Sequence, residues 1–235
     1  MAKNRFRAFT LIELLVVIVV IAILATIAYP VYTGVQERAK VTKDMNNLRQ
    51  IGIATQTYMN DNDGVFPGST TATWMSKLNP KYLSAWRVIQ SPFDGRAPSE
   101  TGTQAPVSPI SFGINSNVYP NNVAISADKI TKPAAFILFA PAQAAGASVT
   151  FSGLATTGAP GVNVLGTGGG TATSTPGGAA TAGTQNNRTR INALFADLHC
   201  ETMSWSGAGA TFTNNAVTAS DPDGELRWKP YIPYP

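Results

Sequence analysis

The feature that most limits what this chain can fold into is an uninterrupted apolar run near its N-terminus. From Leu14 to Ala25 no side chain is polar. The wider segment Phe9–Tyr29, FTLIELLVVIVVIAILATIAY, is 21 residues long. At about 1.5 Å of rise per residue it spans about 30 Å as a helix, enough to cross the hydrocarbon core of a bilayer. A helix that is apolar on every side must sit in lipid or be buried among other helices. Residues 1–8, MAKNRFRA, are basic and acid-free, which places the N-terminus on the cytoplasmic side of a membrane.

Two readings of this segment compete. In the first it is a disposable secretory signal, cleaved after Ala28, with the small residues Thr26 and Ala28 next to the cut. In the second the cut lies before the apolar run, and the helix stays in the product. Glu13 favours the second, because a carboxylate inside an apolar membrane segment is costly and marks a function that a discarded peptide does not need. Helical patterning also continues beyond residue 28.

The string Arg7-Ala8-Phe9-Thr10-Leu11-Ile12-Glu13-Leu14 resembles the class III leader and methylation motif of type IV pilins and type II secretion pseudopilins. The resemblance implies cleavage by a prepilin peptidase between Ala8 and Phe9 and methylation of the new Phe9 amine. Ala8 stands where most members carry Gly. Pro30 matches a proline near the end of the apolar stretch of many members, and it is expected to kink the helix by removing one backbone donor. After processing, the Phe9 ammonium and Glu13 lie one helical turn apart. Away from water such opposite charges attract far more strongly than in it. Glu13 of an incoming subunit can therefore neutralise the Phe9 amine of one already assembled and set the register, as the resemblance also implies. The plainer role for Glu13 is to stabilise the positive end of the helix dipole.

Residues 31–60 read as an amphipathic continuation of the helix. Val31, Val35, Val41, Met45, Leu48, Ile51, Thr55 and Tyr58 form its apolar stripe, while Glu37, Arg38, Lys40, Lys43, Asp44, Asn46, Asn47, Arg49 and Gln50 form a face assigned to solvent. The stripe calls for a partner, most simply a downstream sheet. Asn60-Asp61-Asn62-Asp63-Gly64 is strong turn chemistry and ends the helix. Unbroken from Phe9 to Asn60, the helix would be about 78 Å long.

Residues 61–235 form the head. Thr73–Leu83 reads as a short helix broken near Pro80, with Trp74, Leu78, Tyr82 and Leu83 as packing anchors. Ile110–Ile114 and Ala135–Ala140 read as strands, and Ile191–Trp205 as a hairpin turning at Asp197-Leu198. Asn60–Pro67, Ser91–Arg96, Ser111–Asn115, Lys132–Ala140 and Asn192–His199 also resemble segments of a large subgroup of pilin-like heads. Ser91 stands where many of those have Cys, and Leu198 where the hairpin turn usually has Gly. From Ala144 to Asn187 the chain is rich in Ala, Gly, Thr and Ser and carries no charge. It reads as a long surface excursion, with a sugar-acceptor pattern at Asn187-x-Thr189. The expected organisation is a leader at 1–8, a membrane and filament-core helix at 9–60, and a β-rich head at 61–235 containing the excursion 144–187. The fold class is α+β, pilin-like: a long N-terminal helix packed on an antiparallel β-sheet head.

Composition narrows the chemistry. One cysteine and one histidine exclude an internal disulfide, multi-Cys zinc sites and two-His metal motifs. The net charge is +4, but removing residues 1–8 takes Lys3, Arg5 and Arg7 away and leaves +1, which is no nucleic-acid footprint. His199 and Cys200 point to opposite faces of a strand and make a poor dyad. Asp197, His199 and Glu201 can share one face and could bind a metal, but an exposed polar strand face explains the same residues and is the preferred reading. Asp61 and Asp63 resemble the start of a calcium loop without its remaining ligands, and Asp221, Asp223 and Glu225 form a second acidic turn where calcium is the cation that would fit. No P-loop, nucleophile elbow or dinucleotide fingerprint is present in the sequence. The aromatic, Pro-rich segment from Leu226 onward is expected to lie extended on the head or against a neighbouring subunit.

The expectation is therefore a structural protein, not an enzyme, that needs no cofactor. It is inserted in the inner membrane as a precursor and assembled into a periplasmic or extracellular homo-oligomeric filament. The resemblance implies a prepilin peptidase, an inner-membrane assembly platform and an ATPase motor as partners. The motor is needed because moving an apolar helix out of lipid gains little hydrophobic energy. The alternatives are a major pseudopilin of type II secretion, a membrane-tethered surface-binding module, and an enzyme released after Ala28.

Overall fold

The computed structural model describes residues 10–68, 74–93, 110–144, 150–151, 190–204, 226 and 229–231. Its first element, α1, runs from Leu11 to Asp61 and passes Pro30 and Gly34 as one helix. The chain divides into two compact units, residues 1–39 and 40–235, and α1 crosses the boundary.

In the first unit α1 is apolar and exposed: its large side chains from Leu11 to Ile27 range from 47% accessible at Val19 to 81% at Leu11. Val31 and Val35, expected to begin the buried stripe, are exposed as well.

In the second unit α1 buries Asp44, Asn47, Leu48, Ile51, Gly52, Ala54, Thr55 and Met59. The Asn-Asp-rich turn ends it as anticipated. Gly64 N–H donates to the Met59 carbonyl at 2.8 Å, and Asp63 and Gly64 take positive φ values of 52° and 74°. A short helix α2, Trp74–Leu78, stops before Pro80, and a 3₁₀ turn follows at Trp86–Ile89.

The strands are β1 (Ile110–Asn115), β2 (Ile137–Ala144), β3 (Thr150–Phe151), β4 (Arg190–Phe195) and β5 (Cys200–Ser204), in the order β3-β1-β2-β4-β5. The pairs β1–β2, β2–β4 and β4–β5 are antiparallel; the two-residue β3 adds a parallel edge to β1. Central β2 has Ile137, Leu138, Phe139 and Ala140 all at 0% exposure, the continuous apolar run of a strand covered on both faces. Its Pro141 has no N–H for the ladder, and the β1–β2 register shifts near it, between Ile110 and Phe112.

The core lies between the second half of α1 and the sheet. Leu48, Ile51 and Met59 meet Phe112, Ile114, Phe139 and Leu194, with Phe66, Trp74, Leu78 and Ile89 from the connecting segments closing the rim. Trp74 packs edge-on against Phe139 at 4.9 Å between ring centroids. Pro230 is buried, and its carbonyl accepts from Thr131 N–H at 2.8 Å, which docks that part of the C-terminal segment on the head.

Candidate assembly site

The start of α1 is built by Thr10 and Glu13. Thr10 precedes the first helical residue, and Glu13 sits three residues on, the spacing of a capping box. One carboxylate oxygen of Glu13 accepts from Thr10 N–H at 2.9 Å and from Thr10 Oγ1–H at 2.7 Å, and Leu14 N–H donates to the Thr10 carbonyl at 3.3 Å. The acid thus closes the first turn of its own helix. Both residues are exposed, as are the apolar side chains that follow from Leu14. This helix is long and apolar enough to cross a membrane, with a hydrogen-bonded carboxylate at its leading end. Thr26 and Thr33 turn their hydroxyls back to the carbonyls of Ile23 and Pro30, at 2.7 and 2.9 Å, so neither exposes an unpaired donor along the rod.

The cleavage and methylation positions Ala8 and Phe9, the sugar acceptor Asn187 and the acidic turn Asp221, Asp223 and Glu225 lie outside the described residues, as does most of the 144–187 excursion. Pro30 is inside α1.

The head offers no assembled catalytic group among its described residues. His199 turns Nδ1 to the Asp197 carboxylate, holds Nε2 3.9 Å from Glu201 Oε2 and stacks on Phe195 at 4.2 Å between centroids. Cys200 faces the other way, its Sγ 3.9 Å from the Met45 carbonyl of α1. Burial pushes its thiol pKa up, the nearby Asp44 charge adds to that, and Arg49 opposes it. The two neighbours therefore have different partners and form no dyad. Among the described residues no group of three or more His, Cys, Asp or Glu side chains is arranged to hold a metal ion. Asp61 at the end of α1, read above as the start of a calcium loop, instead meets Lys81 Nζ at 2.8 Å and accepts from Tyr82 Oη–H at 2.9 Å. Those hydrogen bonds, Lys81 first, hold its carboxyl pKa below the ordinary value.

One polar cluster was not legible in the sequence. Asp44 and Asn47, assigned there to the solvated face of the helix, are buried, at 0% and 5% exposure. Ser91 Oγ–H donates to Asp44 Oδ1 at 2.5 Å, and Asn192 Nδ2–H donates to Asp44 Oδ2 at 2.9 Å. Thr202 in turn donates to Asn192 Oδ1 at 2.7 Å, and Asn47 Nδ2–H donates to the Gln90 carbonyl at 2.9 Å. The three and four-residue spacing of Asp44, Asn47, Leu48 and Ile51 was the available signal. Polarity alone assigned the first two to the wrong face.

Residues 3–29 match the family model described as the prokaryotic N-terminal methylation motif. No curated protein and no solved structure matches the chain. The matched segment holds the basic leader, Glu13 and the apolar half of α1 whose geometry is given above. The chain thus carries at its N-terminus the signature of the type IV pilins and pseudopilins.

Proposed function

We propose that this protein is the structural subunit of a type IV pilus-like filament. It enters the inner membrane as a precursor, is cleaved between Ala8 and Phe9, is methylated on the Phe9 amine, and assembles by packing its apolar helix against those of other copies. The observation that carries this reading is an exposed apolar helical segment, capped at its leading end by Glu13, that lies within the methylation motif. In lipid the apolar surface is solvated by acyl chains; in a filament neighbouring helices replace them. Hydrophobic transfer contributes little to that exchange, so close packing and the Glu13–Phe9 charge pair would supply direction and register. The protein acts through assembly, and catalysis plays no part in the reading.

A pilus subunit is favoured over a secretion pseudopilin by the long uncharged, Thr-rich stretch 144–187, a composition suited to the outer surface of an exposed fibre and, at Asn187, to glycosylation. Mass spectrometry of the mature N-terminus tests the processing step: methyl-phenylalanine at residue 9 is expected. A retained Met1 would indicate a simple membrane tether, and a start at Tyr29 a secreted protein. Electron microscopy of sheared fibres from cells carrying Glu13→Ala tests assembly. Fibre loss with a normally folded head is expected, and undiminished fibres would refute the docking role of Glu13.

A further inference from the structure

We propose that Asp44 is a proton-operated latch between the second half of α1 and the sheet, closed when its carboxyl is protonated and strained when it is ionised. The geometry is that of a buried acid shared by three elements. Asp44 lies on α1, Ser91 follows the 3₁₀ turn Trp86–Ile89, and Asn192 belongs to β4. Both carboxyl oxygens are engaged, and both partners, Ser91 and Asn192, are neutral. Asn192 also reaches the Val41 carbonyl at 3.3 Å, one turn back along α1. The cluster therefore clamps the helix at two successive turns to a single strand residue.

Among the described residues, the charged and titratable groups around it do not compensate an ionised Asp44. On α1, Lys40 and Lys43 are exposed, and Arg49 is exposed beside Cys200. From β5 the facing titratable group is Cys200, whose thiol is raised by its own burial and by Asp44. From β4 and from Ser91 the facing groups are an amide and a hydroxyl. A carboxylate at 0% exposure held by neutral donors pays a desolvation cost that two hydrogen bonds only partly offset. Burial accordingly pushes the Asp44 pKa up to about 6, against the pull of Ser91 and Asn192. The ligand of this site is a proton, and the event it controls is separation of α1 from β4 near Asp44. The inference stands whether or not the chain forms a filament.

The test is amide hydrogen exchange of the full-length protein in detergent micelles, from pH 4 to 7.5, corrected for intrinsic exchange chemistry and read at Leu48, Ile51, Asn192 and Leu194. In the wild type the opening equilibrium should rise by up to about tenfold per pH unit between about 4 and 6, then level off. In Asp44→Asn it should be flat, because an amide can donate to Ser91, accept from Asn192 and carry no charge. Parallel curves for the two proteins would overturn the latch. Ser91→Ala provides a second arm that survives a misfolded Asp44→Asn. Removing a donor to the ionised carboxylate must move the midpoint of the wild-type curve to higher pH, and a midpoint that stays put or falls would equally overturn it.

Discussion

The hairpin between β4 and β5 turns on a residue that pays for its position in backbone strain. Leu198 has φ of +71°, a left-handed conformation that costs an ordinary side chain about 1–2 kcal/mol. The turn around it is tight: Leu198 N–H donates to the Phe195 carbonyl and Phe195 N–H to the His199 carbonyl, both at 3.0 Å. What Leu gains in return is contact with α1. A side-chain carbon built on Gly52 would stand 3.5 Å from Leu198 Cδ2 and 3.1 Å from a Leu194 methyl, so both leucines press on the helix where it has no side chain. Leu198 is half-buried. Since full burial of a Leu contributes about 1.5–3 kcal/mol, its share is roughly 1–1.5 kcal/mol. Leu198→Ala keeps the strain and loses the packing, and should cost about 1–1.5 kcal/mol, a drop of roughly 2–6 °C in melting temperature for a unit of this size. Leu198→Gly loses the same packing but regains about 1 kcal/mol of strain, and should lie within about 0.5 kcal/mol of wild type. Thermal unfolding of the full-length protein in detergent, followed by circular dichroism, measures both. If Gly proves as costly as Ala, strain is not what Leu198 carries and the reasoning fails.

Other outcomes follow from the same geometry. Gly52→Ala places a methyl about 3.1 Å from the Leu194 side chain; overpacking of about 1–3 kcal/mol outweighs a helix-propensity gain of about 1 kcal/mol, so melting should come earlier. Gly34→Ala meets nothing within 4 Å and should raise helicity, measurable by far-ultraviolet circular dichroism in detergent. Asp44 binds its proton more tightly folded than unfolded, so its contribution is fully present below pH 3.8 and is lost as pH rises through about 6. Over that window denaturant titration should show a stability loss of about 3 kcal/mol in wild type that Asp44→Asn lacks. Asp61→Asn removes an exposed ion pair with Lys81 and should leave the melting temperature nearly unchanged.

The elements with strong local signals were readable from the sequence. The apolar run, the turn at Asn60–Gly64, the break before Pro80, the continuous apolar stretch of β2 and the hairpin turning at Asp197-Leu198 all correspond to observed elements, the hairpin as Arg190–Phe195 paired with Cys200–Ser204. Each is specified by residues close together in the chain. The parallel edge β3 was not readable, since two residues of an Ala-Gly-Thr-Ser stretch carry no periodicity of their own. Val31 and Val35 show a different limit. Their helical spacing marks them as stripe residues, but spacing does not say what they pack on, and in the single chain they are exposed.

Asp44 was misplaced for a deeper reason. Sequence patterning assigns a side chain to core or solvent by its polarity, and that rule holds when burial is driven by transfer free energy alone. It fails where a polar group is buried because distant residues complete its hydrogen bonds. Asp44 finds Ser91 47 positions away and Asn192 148 positions away. Neither partner is visible in a helical window. The same separation makes the cluster specific: a rotation or slip of α1 against the sheet would leave a buried carboxylate with neither donor, a penalty of the same order as losing a buried leucine. Apolar contacts, including the close approach of Leu194 and Leu198 to Gly52, hold the second half of the helix to the head. The buried acid would then fix which residue of the helix meets which strand, and because its penalty depends on charge, a proton would set how firmly.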